Sequence, residues 1–365
     1  MNKWTRLAVC FALVVFCGLF TLLATDAGIS IGSAEANGQV LDLSDVAPDQ
    51  LDAKIEEIKQ LGNVDKILLM DENGKSQLSP KDVKKLMDAM PGVFVDYSFE
   101  LYGKTLSTSD ERIEYVKVRM GNEGVEKIRE ALDILPNCTY FLLDDCGIDN
   151  KVMGELRDDY PDKKIVWRVH FTKYSCFTDT EVIHCTAGVR DSDLEGIYYC
   201  NDVVYLDLGH NKYMTDLSFI YGMPKLKVAI IVDCSATTLE PFASCQDLEI
   251  IEIVNCFNLT DLSPLAKCTK LKGLNMSSAF GIRDLTPLYT LENLERLYLG
   301  SSMITEEQYK EACEMLPNCW IRNYAKSVKG VSGNYAIGWR LEPDGSKSDW
   351  YREISEIFQY SVPKF

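Results

Sequence analysis

His184 stands beside Cys185, with Cys176 upstream, and a thiol next to an imidazole is the pairing from which nucleophilic and metal-binding centres are built. Neighbouring residues on a strand point to opposite faces, so a strand through VIHC would turn these two apart. The chain holds only three histidines, at 170, 184 and 210, and no C-x-x-C or H-x-x-x-H spacing provides a tetrahedral zinc site. DENGKS at 71–76 begins like a calcium loop but places Lys75 where the third oxygen ligand belongs and Ser76 where glycine is needed, so it reads as a turn. The carboxylates form no recognisable acid–base pair, and glycine-rich phosphate loops, G-x-S-x-G and H-E-x-x-H are all missing. These residues predict no catalytic site, no metal and no cofactor; the chain does not read as an enzyme.

The remaining candidate chemistry is the thiols. Cys10 and Cys17 lie in the N-terminal apolar run, and neither follows the small residue that lipid attachment needs. Eleven others remain of thirteen. EALDILPNCTY at 130–140 returns as EACEMLPNCWI at 311–321, each time after a helix-like run. Proline cannot continue a helix, so Leu-Pro-Asn-Cys reads as a joint that ends a helix and turns the chain into a strand. Most of the cysteines recur at fixed positions relative to such strands, where a small buried hydrophobe suffices. The alternative reading is a disulfide between stacked equivalents, Cys234 with Cys256 or Cys245 with Cys268, since strands about 5 Å apart lie within bridging range.

The joints belong to a repeat. VVYLDLGHN, LKVAIIVDC, LEIIEIVNC, LKGLNMSSA and LERLYLGSS begin at Val203, Leu226, Leu248, Leu271 and Leu294, spaced by 23, 22, 23 and 23 residues. Each approximates L-x-x-L-x-L-x-x-N, and the pieces between them, such as LTDLSPLAKC and IRDLTPLYTL, read as short helical returns. One such unit has an apolar side and nothing to bury it against, so the units must stack. This pattern resembles the leucine-rich repeat family, and TDLSPL and RDLTPL resemble its bacterial internalin-type subclass. Upstream, VDKILLMDE, IEYVKVRMG and CTYFLLDDC keep the frame in longer units similar to the ribonuclease-inhibitor-like class. The frame slips at VFVDYSFELYG and KIVWRVHF, which still read as strands; between 172 and 200 only a strand at VIHC and a helix at DLEGIYYC can be placed.

The resemblance implies an α/β fold, a leucine-rich repeat solenoid with a curved parallel sheet on the concave face and helices or short helical turns on the convex one. The organisation expected is a signal peptide or N-terminal membrane anchor at 1–36, an N-terminal flank at 37–63, longer β/α units at 64–200, repeats of 22–23 residues at 201–322 and a C-terminal capping segment at 323–365. Lys3 and Arg6 precede the uninterrupted apolar run from Leu7 to Ala24, the charge asymmetry of an export signal. Cleavage after residue 36 and retention of 7–24 as an anchor are both open. Either way the chain is expected outside the cytoplasm, secreted or at the cell surface, with membrane contact only through that segment. In a eukaryotic secretory route Asn137, Asn258 and Asn275 would be glycosylation acceptors.

Net charge is −17, which repels phosphate backbones and predicts no nucleic-acid partner. A protein partner fits better. The residues alternating with the inward ones line the concave surface. They are Tyr205 and Asp207, then Val228, Ile230 and Val232, then Ile250, Glu252 and Val254, and later Arg296 and Tyr298. An apolar centre with a polar rim is the composition of an interaction surface, and these ten are the expected partner-binding residues; the alternative is that the C-terminal tail, or β propensity alone, accounts for the apolar patch. A structural envelope component, or an inhibitor covering an enzyme's active site, is the alternative. The tail beyond 322 carries Trp350, Ile354, Ile357 and Phe358 on one helical face and is expected to cover the open end of the stack; a ligand surface at Trp339 and Trp350 is the weaker alternative.

Overall fold

The computed structural model describes residues 30–31, 38–323, 346 and 348–359. The expected signal or anchor at 1–36 therefore lies outside the described residues apart from 30–31, as does Trp339. Among the described residues no helix is long and apolar enough to cross a membrane. The chain divides into two compact units, residues 1–99 and 100–365.

The first unit holds a four-stranded sheet of β1 (Ser30–Ile31), β2 (Gln39–Asp42), β3 (Val64–Leu68) and β4 (Phe94–Asp96) in sequential order. β1 is antiparallel to β2, and the other pairs are parallel. Helices α1 (Leu51–Leu61) and α2 (Pro80–Ala89) make the crossovers. Pro80 occupies the first turn of α2, where its missing N–H costs nothing, and Ser79 caps it by accepting from Asp82 N. Ile55, Ile58, Val83 and Leu86 bury the inner sides of both helices with Ile67 and Leu69. DENGKS is a turn, with Asp71 Oδ1 accepting from Asn73 N and Lys75 N at 2.9 and 2.8 Å.

The division at 99/100 falls inside the stretch 64–200 that the sequence presents as one run of longer units. It coincides with the slipped frame at 93–103. There the chain forms β5 (Ser98–Leu101) and β6 (Lys104–Ser107), a two-stranded sheet of its own, instead of joining β4 directly to the next parallel strand.

The second unit begins with β7 (Arg112–Val116), α3 (Val125–Leu132), β8 (Tyr140–Asp144), α4 (Asn150–Asp159) and β9 (Lys164–Phe171), whose strands are parallel. The chain then reverses at Thr172, which takes a left-handed φ of 53°, into β10 (Tyr174–Phe177), antiparallel to β9. No sequence pattern marks this hairpin, and it ends the first sheet of the unit. A second sheet follows, seven strands in sequence order: β11 (Val182–His184), β12 (Tyr205–Asp207), β13 (Val228–Ile230), β14 (Ile250–Glu252), β15 (Gly273–Asn275), β16 (Arg296–Tyr298) and β17 (Trp320–Arg322). All its pairs are parallel. DLEGIYYC, expected as a helix, supplies only a short 3-10 turn at Gly196–Tyr199.

The repeat arithmetic holds to the residue in this sheet. Leu206, Ala229, Ile251, Leu274, Leu297 and Ile321 are register partners on successive strands, and each is buried. Between strands the chain returns through 3-10 turns at Ser218–Gly222, Glu240–Ser244, Ser263–Lys267 and Thr286–Thr290. The Asp of D-L-S/T starts three of them. Asp216, Asp261 and Asp284 accept from the backbone N–H of Ser218, Ser263 and Thr286 at 2.8, 2.8 and 2.9 Å, and from their hydroxyls too. After each of β11 to β16 one residue turns left-handed, at Ala187, His210, Asp233, Asn255, Ser278 and Ser301. Asp233 ties its neighbours together, contacting His210 Nδ1 at 2.5 Å and accepting from Asn255 Nδ2 at 2.6 Å.

The two Leu-Pro-Asn-Cys joints are one structure. Cys138 N donates to Leu135 O at 3.2 Å and Cys319 N to Leu316 O at 3.0 Å, just past α3 and past α5 (Glu306–Met315). Each turn feeds the strand that follows, β8 or β17.

Candidate partner-binding face

Two register ladders run across the sheet face opposite the buried leucines. One is Tyr205, Val228, Ile250, Gly273, Arg296 and Trp320; the other is Asp207, Ile230, Glu252, Asn275, Tyr298 and Arg322. The ten expected partner-binding residues thus lie together on one face, with Val232 and Val254 just beyond their strands. The structure corrects the expectation that its apolar centre meets water. Val228, Ile230, Val232, Ile250 and Val254 are at most 6% exposed and pack in one cluster with Ile354 and Phe358.

The cover is α6 (Asp349–Ile357). Ser348 caps it by accepting from Tyr351 N at 3.0 Å. Trp350, Ile354 and Phe358 fall on one side because positions four apart on a helix are neighbours. Their i, i+4, i+8 spacing is plain in the sequence, but their seat is not, and the tail lies on this sheet face where a cover over the end of the stack was expected. Phe358 meets the Tyr205 ring edge-on at 6.4 Å and the His184 ring at 5.6 Å. At the other end the Arg296 guanidinium lies 4.9 Å from the Trp350 ring centroid and 5.8 Å from that of Trp320. Gly273 makes room for Trp350, since a Cβ there would stand 2.9 Å from Cζ3. Gly273 is not among the ten expected residues, since a glycine offers no side chain to bind with, yet its missing side chain is what admits Trp350.

The seat is closely balanced. Burying the seven clustered side chains stabilises it by roughly 1.5–3 kcal/mol each, toward the lower figure for strand residues already shielded by their neighbours. Ordering nine helical residues costs about 1–2 kcal/mol apiece. Both sums are on the order of 10–20 kcal/mol, so the net hold on α6 is a small difference between large terms.

A polar row flanks the apolar strip. Asp207, 2% exposed, accepts from Gly209 N at 2.9 Å and lies 3.5 Å from His184 Nε2. Glu252 is fully buried and accepts from Asn275 Nδ2 at 3.1 Å. Burial, with the Glu353 carboxylate adding to it, holds the Tyr205 phenol above its ordinary range. A cavity of about 150 Å³ remains between helix and sheet, lined by Lys227, Glu249, Lys272 and Glu353 among others. Hydrogen bonding to Glu249 at 2.6 Å raises the Lys272 ammonium pKa, and Glu353 contributes further.

The thiols sit apart from this face. His184 is partly exposed on β11, while Cys185 is 1% exposed behind it, the opposite orientation that a strand imposes. Burial pushes the Cys185 thiol up to about 11. Cys234 and Cys256 approach to 3.2 Å between sulfurs and are thiols, as are all eleven cysteines of the described residues. Cys256 Sγ donates to Ile231 O at 2.9 Å and Cys268 Sγ to Phe242 O at 3.3 Å. Cys176 and Cys200, 3.9 Å apart, form a second pair that sequence spacing does not reveal. Among the described residues no three His, Cys, Asp or Glu converge as metal ligands.

No family model and no curated protein matches the sequence. Solved structures similar to it include an internalin (InlF) from Listeria monocytogenes, 14% identical, with 77% of this chain and 76% of that one covered and a TM-score of 0.34. The functional domain of InlJ from Listeria monocytogenes, described as including a cysteine ladder, is 11% identical over 52% of this chain and 35% of its own, with a TM-score of 0.33. An internalin C2 (InlC2) from Listeria monocytogenes is 22% identical over 39% of this chain and 77% of that one, with a TM-score of 0.25.

Proposed function

We propose that this chain is an exported, non-catalytic leucine-rich repeat solenoid that binds a protein partner through the concave side of its 22–23-residue repeats. The observation that carries the reading is the apolar strip of Val228, Ile230, Val232, Ile250 and Val254, which already holds an amphipathic helix of the same chain. A strip able to hold one apolar helix face has the width and composition of a helix-binding groove. The Asp207, Glu252 and Asn275 row beside it supplies the polar side that orients a ligand. Export rests on Lys3 and Arg6 ahead of Leu7 to Ala24, with residues 7–24 either removed or kept as an anchor.

The test places a photo-crosslinking residue at Tyr205 in one variant and at exposed Tyr221 in another, followed by mass-spectrometric identification of what is joined in the native extracellular milieu. A partner joined from position 205, lost when Ile230→Asp and Val232→Asp are added, supports the reading. Crosslinks confined to position 221 overturn it. Mass spectrometry of the mature N-terminus decides between cleavage and retention.

A further inference from the structure

We propose that α6 is a tethered, displaceable occupant of this face, and that the partner the face accepts is itself an amphipathic helix with bulky apolar side chains at i, i+4 and i+8 and an acid between the first two. The proposal rests on the partner-binding reading of the same face; it names the class of ligand and how access to it is governed.

The geometry of the seat specifies the ligand. From Trp350 to Phe358 a helix rises about 12 Å, and from β12 to β15 the sheet advances about 14 Å at its usual strand spacing. Three side chains at every fourth residue, about 6 Å apart, are thus spread over the four strands β12 to β15. Trp350 stands over Gly273, Ile354 packs in the central cluster, and Phe358 reaches Tyr205. An extended segment would repeat its same-side side chains every ~6.6–6.8 Å, close to the ~6 Å of four helical residues, so the helical class rests on the helix that occupies the seat, α6 itself. Glu353 projects toward the cavity that Lys227 and Lys272 line, which fixes where the acid belongs.

The fit is incomplete, and that makes α6 a stand-in. The cavity of about 150 Å³ stays open beside it, and the buried Ser355 Oγ has no hydrogen-bond partner among the described residues. A helix with a side chain filling the cavity would bury more of the same surface. The tether is long enough for exchange. Residues 324–347 span up to about 80 Å when extended, whereas the start of α6 lies over β15 and β16, roughly 10 Å of sheet from β17. Chain length thus does not keep α6 in the groove, and its covalent attachment gives it a high effective concentration for return.

The test uses a fluorescein-labelled peptide of residues 346–360 against the full chain and against an opened full chain carrying Ile354→Asp and Phe358→Asp, whose folding is checked by circular dichroism. The peptide is expected to bind the opened chain at least ~10-fold more tightly than the wild type, because the tethered helix competes only in the latter. A peptide with Glu353→Pro should lose that binding. Equal affinity for the two chains overturns the latch and leaves the face as a binding surface. Equal binding of the proline peptide overturns the helical class of partner alone. Failure of a folded opened chain to bind either peptide overturns the whole proposal. Should the opened chain fail to fold, hydrogen exchange on the wild type decides: α6 amides exchanging at least ~100-fold faster than those of Leu206, Ile251 and Leu274 support the latch, and equal protection overturns it.

Discussion

Gly273 and Trp350 are complementary in shape: on the ladder that carries Val228 and Ile250, the one residue without a side chain is where the indole of α6 lies, so close that a Cβ at Gly273 would stand 2.9 Å from it. Replacing Gly273 with leucine should therefore lift α6 without disturbing the sheet. Tryptophan emission is expected to shift to the red and exchange protection to fall in 349–358, with β12 to β16 unchanged. Loss of protection throughout the sheet would mean that α6 is part of the core.

The buried ladder behaves oppositely. Leu274, 2% exposed, is held between Ile251 and Leu297, so Leu274→Ala leaves a cavity that cannot collapse without shifting two strands. A loss of roughly 2–5 kcal/mol is expected in denaturant unfolding, a large part of a total of about 5–15 kcal/mol. A loss below about 1 kcal/mol would show that the stack relaxes freely.

Asp261 tests the return turns. Its hydrogen bond from Ser263 leads the interactions that hold its carboxyl below the ordinary 3.8, so its contribution is present above that value and is lost as pH falls through the lower folded one. Asp261→Asn should lower the melting temperature by roughly 2–4 °C at pH 7. The gap should close as pH falls through the folded value, which lies below 3.8, because the wild-type carboxyl is itself protonated there. A gap that persists at low pH would assign the effect to geometry alone.

The thiols divide by burial. Burial pushes Cys245 up to about 11 and Cys268 up to about 12, so both stay protonated and shielded at pH 8, while Cys313 is exposed. Iodoacetamide should label Cys313 first, and the ladder thiols only on unfolding. Because the folded values lie above the ordinary 9, the stability they contribute is full below about pH 9 and is lost as pH rises through 11 to 12. Rapid labelling of Cys245 in the folded chain at pH 8 would contradict this.

Much of the second unit is legible in the residues, for a local reason. Leu-Pro-Asn-Cys must end a helix wherever it occurs, Asp-Leu-Ser and Asp-Leu-Thr must close a turn on their own backbone, and a spacing of 22 or 23 residues leaves a stacked strand no other register without exposing Leu206, Ile251, Leu274 and Leu297. The hairpin at Thr172 and the separate sheet at β5 and β6 are less visible. Each interrupts the frame once, and a single departure from a period carries no pattern of its own.

Alternation and helical spacing settle which side chains share a face: Tyr205, Val228, Ile250 and Arg296 on one side of the strands, the leucines on the other, and Trp350, Ile354 and Phe358 along one side of a helix. They do not settle that these two apolar surfaces meet. Both patterns are properties of neighbours within about eight residues, whereas hydrophobic burial is non-directional and names no partner. Only the folded sheet, with its gap at Gly273 beneath Trp350, selects α6 as the cover.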